Sequence, residues 1–305
     1  MAKVVVTGAS GLLGRALYQT FKEEGFTVTG FAKSRVSAGL LSVDLLDSDE
    51  LRARLRQLAP QVIVHSAAYR SPDQVEADAA AARRMNVHAS QVIGEVAAEL
   101  GAQLLYISTD YVFDGSSPPY KADDPPNPVN LYGQTKLEGE RATLHACPGA
   151  LVLRVPVLYG PVERLDESAV TVLLRCLLEP PAAGCAVSDL EKRYPAHVRD
   201  VADICHRLLE KQREDRAAVR GVYQWSGSET LTKYGMVRAM AAVFGLSAEH
   251  VTPTRAPPPA GTRRPLDSRL DTGRLAELGI GTHTPFAEGI EQCLSAWLEK
   301  KDAPQ

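Results

Sequence analysis

Tyr132 and Lys136 stand four residues apart in Leu131-Tyr132-Gly133-Gln134-Thr135-Lys136. On a helix, side chains at i and i+4 share a face. An ammonium beside a phenol favours the phenolate, so the spacing predicts a tyrosine pKa drawn down toward neutrality. Such a tyrosine can give its proton to a carbonyl oxygen while a hydride reaches the carbonyl carbon. Thr109, in Ile107-Ser108-Thr109-Asp110, ends an apolar run and offers a hydroxyl to the same carbonyl. A tyrosine and a lysine at this spacing are common on surfaces. Thr109 upstream and a glycine loop at the front of the chain make the set specific.

That loop is Thr7-Gly8-Ala9-Ser10-Gly11-Leu12-Leu13-Gly14, with glycines in a G-x-x-G-x-x-G pattern. Gly8 permits a tight turn, Gly11 lets backbone N–H groups approach a diphosphate, and Gly14 lets helix and strand pack closely. Thr7, Ser10, Leu12 and Leu13 complete the loop. A helix that opens here presents partial positive charge and free N–H donors to phosphates. A ligand-free glycine turn is the alternative, but a strand before and a helix after are the context that identifies a dinucleotide site.

The second strand separates NAD from NADP. A carboxylate at its end would bind a ribose 2′-hydroxyl and repel a 2′-phosphate. Here the strand is followed by Lys33-Ser34-Arg35 with no acid. Two cations and a hydroxyl suit a dianionic phosphate, so the expected cofactor is NADP. In Val43-Asp44-Leu45, Asp44 either reaches the adenine amine or caps the following helix. Ala67-Ala68, after the fourth strand, lets the middle of the cofactor pass near backbone. Lys136 is also placed to hydrogen-bond the nicotinamide ribose. Other residues read as structural: His65 as a core histidine, Asp123-Asp124 as turn chemistry, and Asp110 and Asp114 as caps or substrate contacts in equal measure. No His or Cys spacing suggests a metal.

The elements that must position these groups alternate. Strands are expected at 3–7, 27–32, 62–66, 103–108 and 150–154. Helices are expected at 14–24, 51–58, 77–100 (one or a pair) and 130–145. The apolar runs lack polar alternation, as in parallel strands buried on both faces. This predicts an α/β fold, a doubly wound parallel sheet of Rossmann type. After Pro156, prolines at 180–181 and 253–265 and helices at 169–178, 201–212, 233–244, 275–278 and 286–300 suggest a smaller mixed C-terminal lobe. The expected division is 1–155, with a returning segment near 185–225, against 156–184 and 226–305.

Bulk properties agree. The chain has 305 residues, a formal charge of −3 and 23% charged residues, with no basic field for nucleic acid. No leader or membrane-spanning run is read. Cys147, Cys176, Cys185, Cys205 and Cys293 are odd in number and never in a C-x-x-C pair, so reduced thiols in a cytoplasmic protein are expected.

The stretches 107–115 and 127–140, with Pro118-Pro119-Tyr120, resemble dTDP-4-dehydrorhamnose reductases, NADPH-dependent extended short-chain reductases. That resemblance implies Thr109, Tyr132 and Lys136 as the catalytic set. A closer resemblance, from Lys3 to Leu294, is to the regulatory beta subunits of methionine adenosyltransferase, a branch of the same family. It rests on 62–68, 73–76, 157–163, 167–172, 193–200, 223–227, 232–234, 270–281 and 284–286. It implies a non-catalytic, NADP-binding protein in a hetero-oligomer with the catalytic subunit that makes S-adenosylmethionine from methionine and ATP. Reduction of a nucleotide-linked 4-keto-6-deoxy sugar is the alternative. The segment 298–305 does not look like the aromatic, basic tail of that branch, and Thr109 stands where its members often carry serine.

Overall fold

Strand β1 (Lys3–Thr7) shows how the sheet is buried. Val4 and Val6 join one core cluster and Val5 another, because successive side chains leave a strand on opposite faces. Both faces are covered, so Val4, Val5 and Val6 are all apolar and buried. The computed structural model describes residues 1–36, 39–179, 181, 184–256 and 261–302. Pro180, the prolines at 257–259 and residues 303–305 lie outside them.

Around β1 are β2 (Thr27–Ala32), β3 (Leu40–Ser42), β4 (Val62–His65), β5 (Gln103–Thr109) and β6 (Leu151–Val155). Later come β7 (Leu158–Tyr159), β8 (Cys185–Ser188), β9 (Ala196–His197), β10 (Gly221–Gln224) and β11 (Val251–Thr254). The main sheet is parallel, in the order β10-β6-β5-β4-β1-β2-β3. The order reverses at β1 and β4, and such a switch point opens a crevice at the carboxyl ends of the strands.

Helices α1 (Leu12–Glu23) and α8 (Val198–Glu214) cover one face through Leu13, Leu17, Phe21, Val201 and Ile204. Helices α2 (Ser48–Leu58) and α5 (Ala89–Leu100) cover the other through Leu51, Leu55, Val92 and Ile93. The stretch expected as one helix or a pair is broken further. It starts where α3 (Pro72–Ala77) ends and holds α4 (Ala79–Arg83), a π turn (Arg84–His88) and then α5. Pro72 starts α3, where a missing N–H costs nothing, and Asp78 leaves the helical region to accept from Ala81 N.

Helix α6 (Leu131–Ala146) carries Tyr132 and Lys136, capped by Asn130, which accepts from Gly133 N. A buried pair anchors it: Arg154 on β6 meets Glu140 at 2.8 Å, and Ser108 Oγ donates to Glu140 at 2.5 Å. The second core gathers Leu174 and Leu177, before and in α7 (Arg175–Leu178), with α9 (Lys233–Phe244) and the C-terminal helix α10 (Phe286–Asp302). Within the segment near 185–225 expected to return to the main sheet, β10 does so, beside β6, while β8 pairs with β11.

Candidate functional site

The crevice at the switch point is a cleft of about 460 Å³. Of the residues singled out from the sequence, Gly8, Ser10, Gly11, Leu12, Leu13, Gly14, Lys33, Ser34, Arg35, Leu45, Ala67, Ala68, Thr109, Tyr132 and Lys136 line it. Thr7 and Asp44 do not. Thr7 turns into the sheet, where its hydroxyl meets His65 Nδ1 at 2.7 Å. His65 has its other nitrogen 3.0 Å from Ser90 Oγ, and burial pushes its pKa down to about 3. Asp44 does not cap α2 either. Asp47 does, accepting from Asp49 N and Glu50 N.

Backbone contact builds the glycine loop. Gly8 has φ +70, and a Cβ there would stand 2.9 Å from Ala67 Cα. A Cβ on Gly14 would lie 2.0 Å from Gly8 O. Gly11 differs: its φ is −79, and a Cβ would meet only Gly8 O, at 3.1 Å. Gly11 also makes no side-chain cap for α1, so the first N–H groups of the helix keep their capacity to donate. An open lobe of space beside free backbone donors fits a diphosphate.

The cations past β2 are not idle. Lys33 Nζ lies 2.7 Å from Asp44 Oδ2, and both are part-exposed. Arg35, in the left-handed region at φ +55, reaches Glu163 at 3.2 Å and also binds Glu167. Arg15 meets Glu167 from the other side at 2.7 Å and donates to Ser10 O at 2.9 Å. Glu167 is only 4% exposed. Burial raises its pKa, but Arg15, the Glu163 amide and Arg35 together outweigh that and hold it below the usual range. Sequence reasoning missed Arg15 and Glu167. The available sign was a cation in the first turn of a helix, where the macrodipole opposes it unless a carboxylate is near.

At the other end, Thr109, Tyr132 and Lys136 come together, but not in the expected electrostatic state. Lys136 Nζ donates to Ile107 O at 2.7 Å and sits 4.1 Å from the centre of the Tyr106 ring. Burial lowers its pKa to about 7, against the pull of Glu140. Tyr132 is raised above its ordinary value by burial, with the Thr109 hydroxyl opposing. The phenol is therefore not drawn toward neutrality here, because desolvation acts on both groups and the ammonium is turned to a carbonyl. Thr109 Oγ1 donates to Asp110 Oδ1 at 3.1 Å and accepts from Tyr111 N.

Asp110 also accepts from Ser268, and burial raises its pKa. Asp114 accepts from Ser116, Tyr120 and Asn127, which together hold it far below the carboxylate range. It is a turn organiser. Asn86, in the π turn, was also missed. Its side chain bonds both backbone groups of Tyr69 and the Thr135 hydroxyl, tying the cleft rim to α6. Among the described residues, no group of three or more His, Cys, Asp or Glu could hold a metal, and no helix is long and apolar enough to cross a membrane.

The family described as RmlD substrate binding domain matches residues 2–298. Methionine adenosyltransferase 2 subunit beta of Xenopus tropicalis is 46% identical over 299 residues, covering 98% of this chain and 89% of that protein. The chain belongs to this beta-subunit family. Membership in it places the chain on a branch related to the reductases: a dTDP-4-dehydrorhamnose reductase of Aggregatibacter actinomycetemcomitans is 28% identical over 284 residues, covering 91% of this chain and 93% of that one. The reductase of Bacillus anthracis, solved in complex with NADP, shares the fold. Its TM-score is 0.84 at 24% identity, over 97% of this chain and 99% of that one.

Proposed function

We propose that this beta-family protein is an NADP-binding regulatory partner of a methionine adenosyltransferase catalytic subunit. The observation that carries the reading is near-full-length identity of 46% to a methionine adenosyltransferase 2 subunit beta. The cleft supports the cofactor part. The amides at the mouth of α1 would hold the diphosphate, Lys33 and Arg35 the 2′-phosphate, and Lys136 the nicotinamide ribose. When bound, the nicotinamide supplies a two-electron carrier. Around it, this chain keeps Tyr132 protonated, positions the phenol beside Thr109, and lines the cleft wall with Met85 and Val157.

Passing the full chain over an immobilised catalytic subunit tests the partner. Retention at micromolar concentration is expected, and free passage would overturn it. Titration with NADP and NAD tests the cofactor, with tighter binding of NADP expected. A second reading, reduction of a nucleotide-linked 4-keto-6-deoxy sugar, draws on the convergence of Thr109, Tyr132 and Lys136 in one cleft. Rapid oxidation of NADPH with dTDP-4-dehydrorhamnose, lost in Tyr132→Phe, would favour it over the regulatory reading.

A further inference from the structure

Two of the five cysteines are neighbours. Cys176 Sγ and Cys185 Sγ lie 2.8 Å apart, both part-buried and both free. A disulfide bond is about 2.0 Å long, so joining them needs less than an ångström of movement. One residue holds both backbones in place. His250 Nε2 bonds Cys176 O at 2.7 Å, and His250 O accepts from Cys185 N at 2.9 Å. Cys176 therefore sits at the start of α7 and Cys185 at the start of β8 in a fixed relation. The remaining cysteines are buried elsewhere: Cys147 and Cys205 in the sheet cores, Cys293 with its sulfur 3.3 Å from His197 Nε2.

We propose that Cys176 and Cys185 form a dithiol that a low-molecular-weight disulfide oxidises to an intrachain disulfide. The Cys185 thiolate attacks one sulfur of the small disulfide, whose S–S bond breaks and releases one small thiolate. Cys176 then attacks the Cys185 sulfur of the mixed disulfide and expels the second. The two cysteines are oxidised, the reagent is reduced to two thiols, and the two cysteine protons end on them. Cys176 takes the second step, where its sulfur, 2.8 Å from the Cys185 sulfur, attacks by proximity rather than thiolate abundance; burial and the neighbouring Cys185 push its thiol up. The bond would tie α7 to the β8–β11 pair. Through the turn Thr171–Leu174, α7 continues the segment whose Glu167, Ser168 and Ala169 line the cleft.

The test uses the full chain, reduced and then equilibrated with glutathione disulfide. Free thiols are alkylated after denaturation, and the chain is cut with trypsin. One peptide, residues 176–192, carries both cysteines. It is expected to carry no alkyl group until it is reduced, while Cys147, Cys205 and Cys293 are alkylated. Recovery of the peptide doubly alkylated, or with glutathione stably held on wild-type Cys185, would overturn the proposal. Cys176→Ser removes the resolving thiol and is expected to trap glutathione on Cys185. An unmodified Cys185 in that variant would overturn the assigned order of attack. Should that variant not fold, the wild-type peptide alone decides.

Discussion

Replacing Gly11 and Gly14 separates ligand binding from folding within one loop. Gly11 has a backbone that any residue adopts, and an added side chain would meet only Gly8 O at 3.1 Å before entering the cleft. Gly11→Val therefore changes stability chiefly through the helix cap, by about 1 kcal/mol, or a few degrees in Tm. In the cleft, its methyl groups stand between the α1 amides and a diphosphate. Loss of two charge-assisted hydrogen bonds at about 1.5 kcal/mol each is about 3 kcal/mol, roughly a 150-fold weaker Kd for NADP. Gly14→Ala does the reverse. Its Cβ falls 2.0 Å from Gly8 O, a backbone atom that cannot step aside, so overpacking of about 1–3 kcal/mol lowers Tm. Isothermal titration with NADP and thermal unfolding by circular dichroism read both. Wild-type affinity in folded Gly11→Val would refute the diphosphate assignment, and an unchanged Tm in Gly14→Ala would refute the packing argument.

Three further outcomes follow from the cleft and its supports. Lys33 and Arg35 must leave Asp44, Glu163 and Glu167 to reach a phosphate, so changing both to Ala should weaken NADP by only about 1.4 kcal/mol, near tenfold; equal weakening of NAD in titration would refute the 2′-phosphate role. Glu140→Ala leaves Arg154, itself 3% exposed, as an uncompensated buried charge; urea unfolding should show a loss of about 3–5 kcal/mol, and a loss under 1 kcal/mol would contradict it. Lys136 has its pKa lowered from 10.5 to about 7, so between those values the unfolded chain binds the extra proton and stability rises with pH. Below pH 7 that contribution is lost. Lys136→Met should flatten the rise in stability that urea denaturation reads from pH 7 to 10, and parallel stability curves for the two proteins would refute the burial effect.

What could be read from the sequence was local. The glycine loop, the unbroken apolar strands and α6 are each set by residues within a few positions, and the parallel sheet follows from them. The tie from Arg15 and Arg35 to Glu167 spans 152 and 132 residues, so no periodicity encodes it. The state of Tyr132 and Lys136 was misread for a related reason. Spacing places both on one helix, but desolvation by Tyr106 and the reach to Ile107 O come from β5. The break in the helix after Ala77 had a local cause in Asp78, which the alanine-rich pattern around it masked.

Glu167 stands as a counter-ion already seated where a phosphate would compete. A dianion that recruits Arg35 must displace this carboxylate, leaving it to Arg15 and the Glu163 amide. Occupancy of the adenosine end would then loosen residues 163–174 from the glycine loop, and amide exchange in that stretch should quicken as the cleft fills.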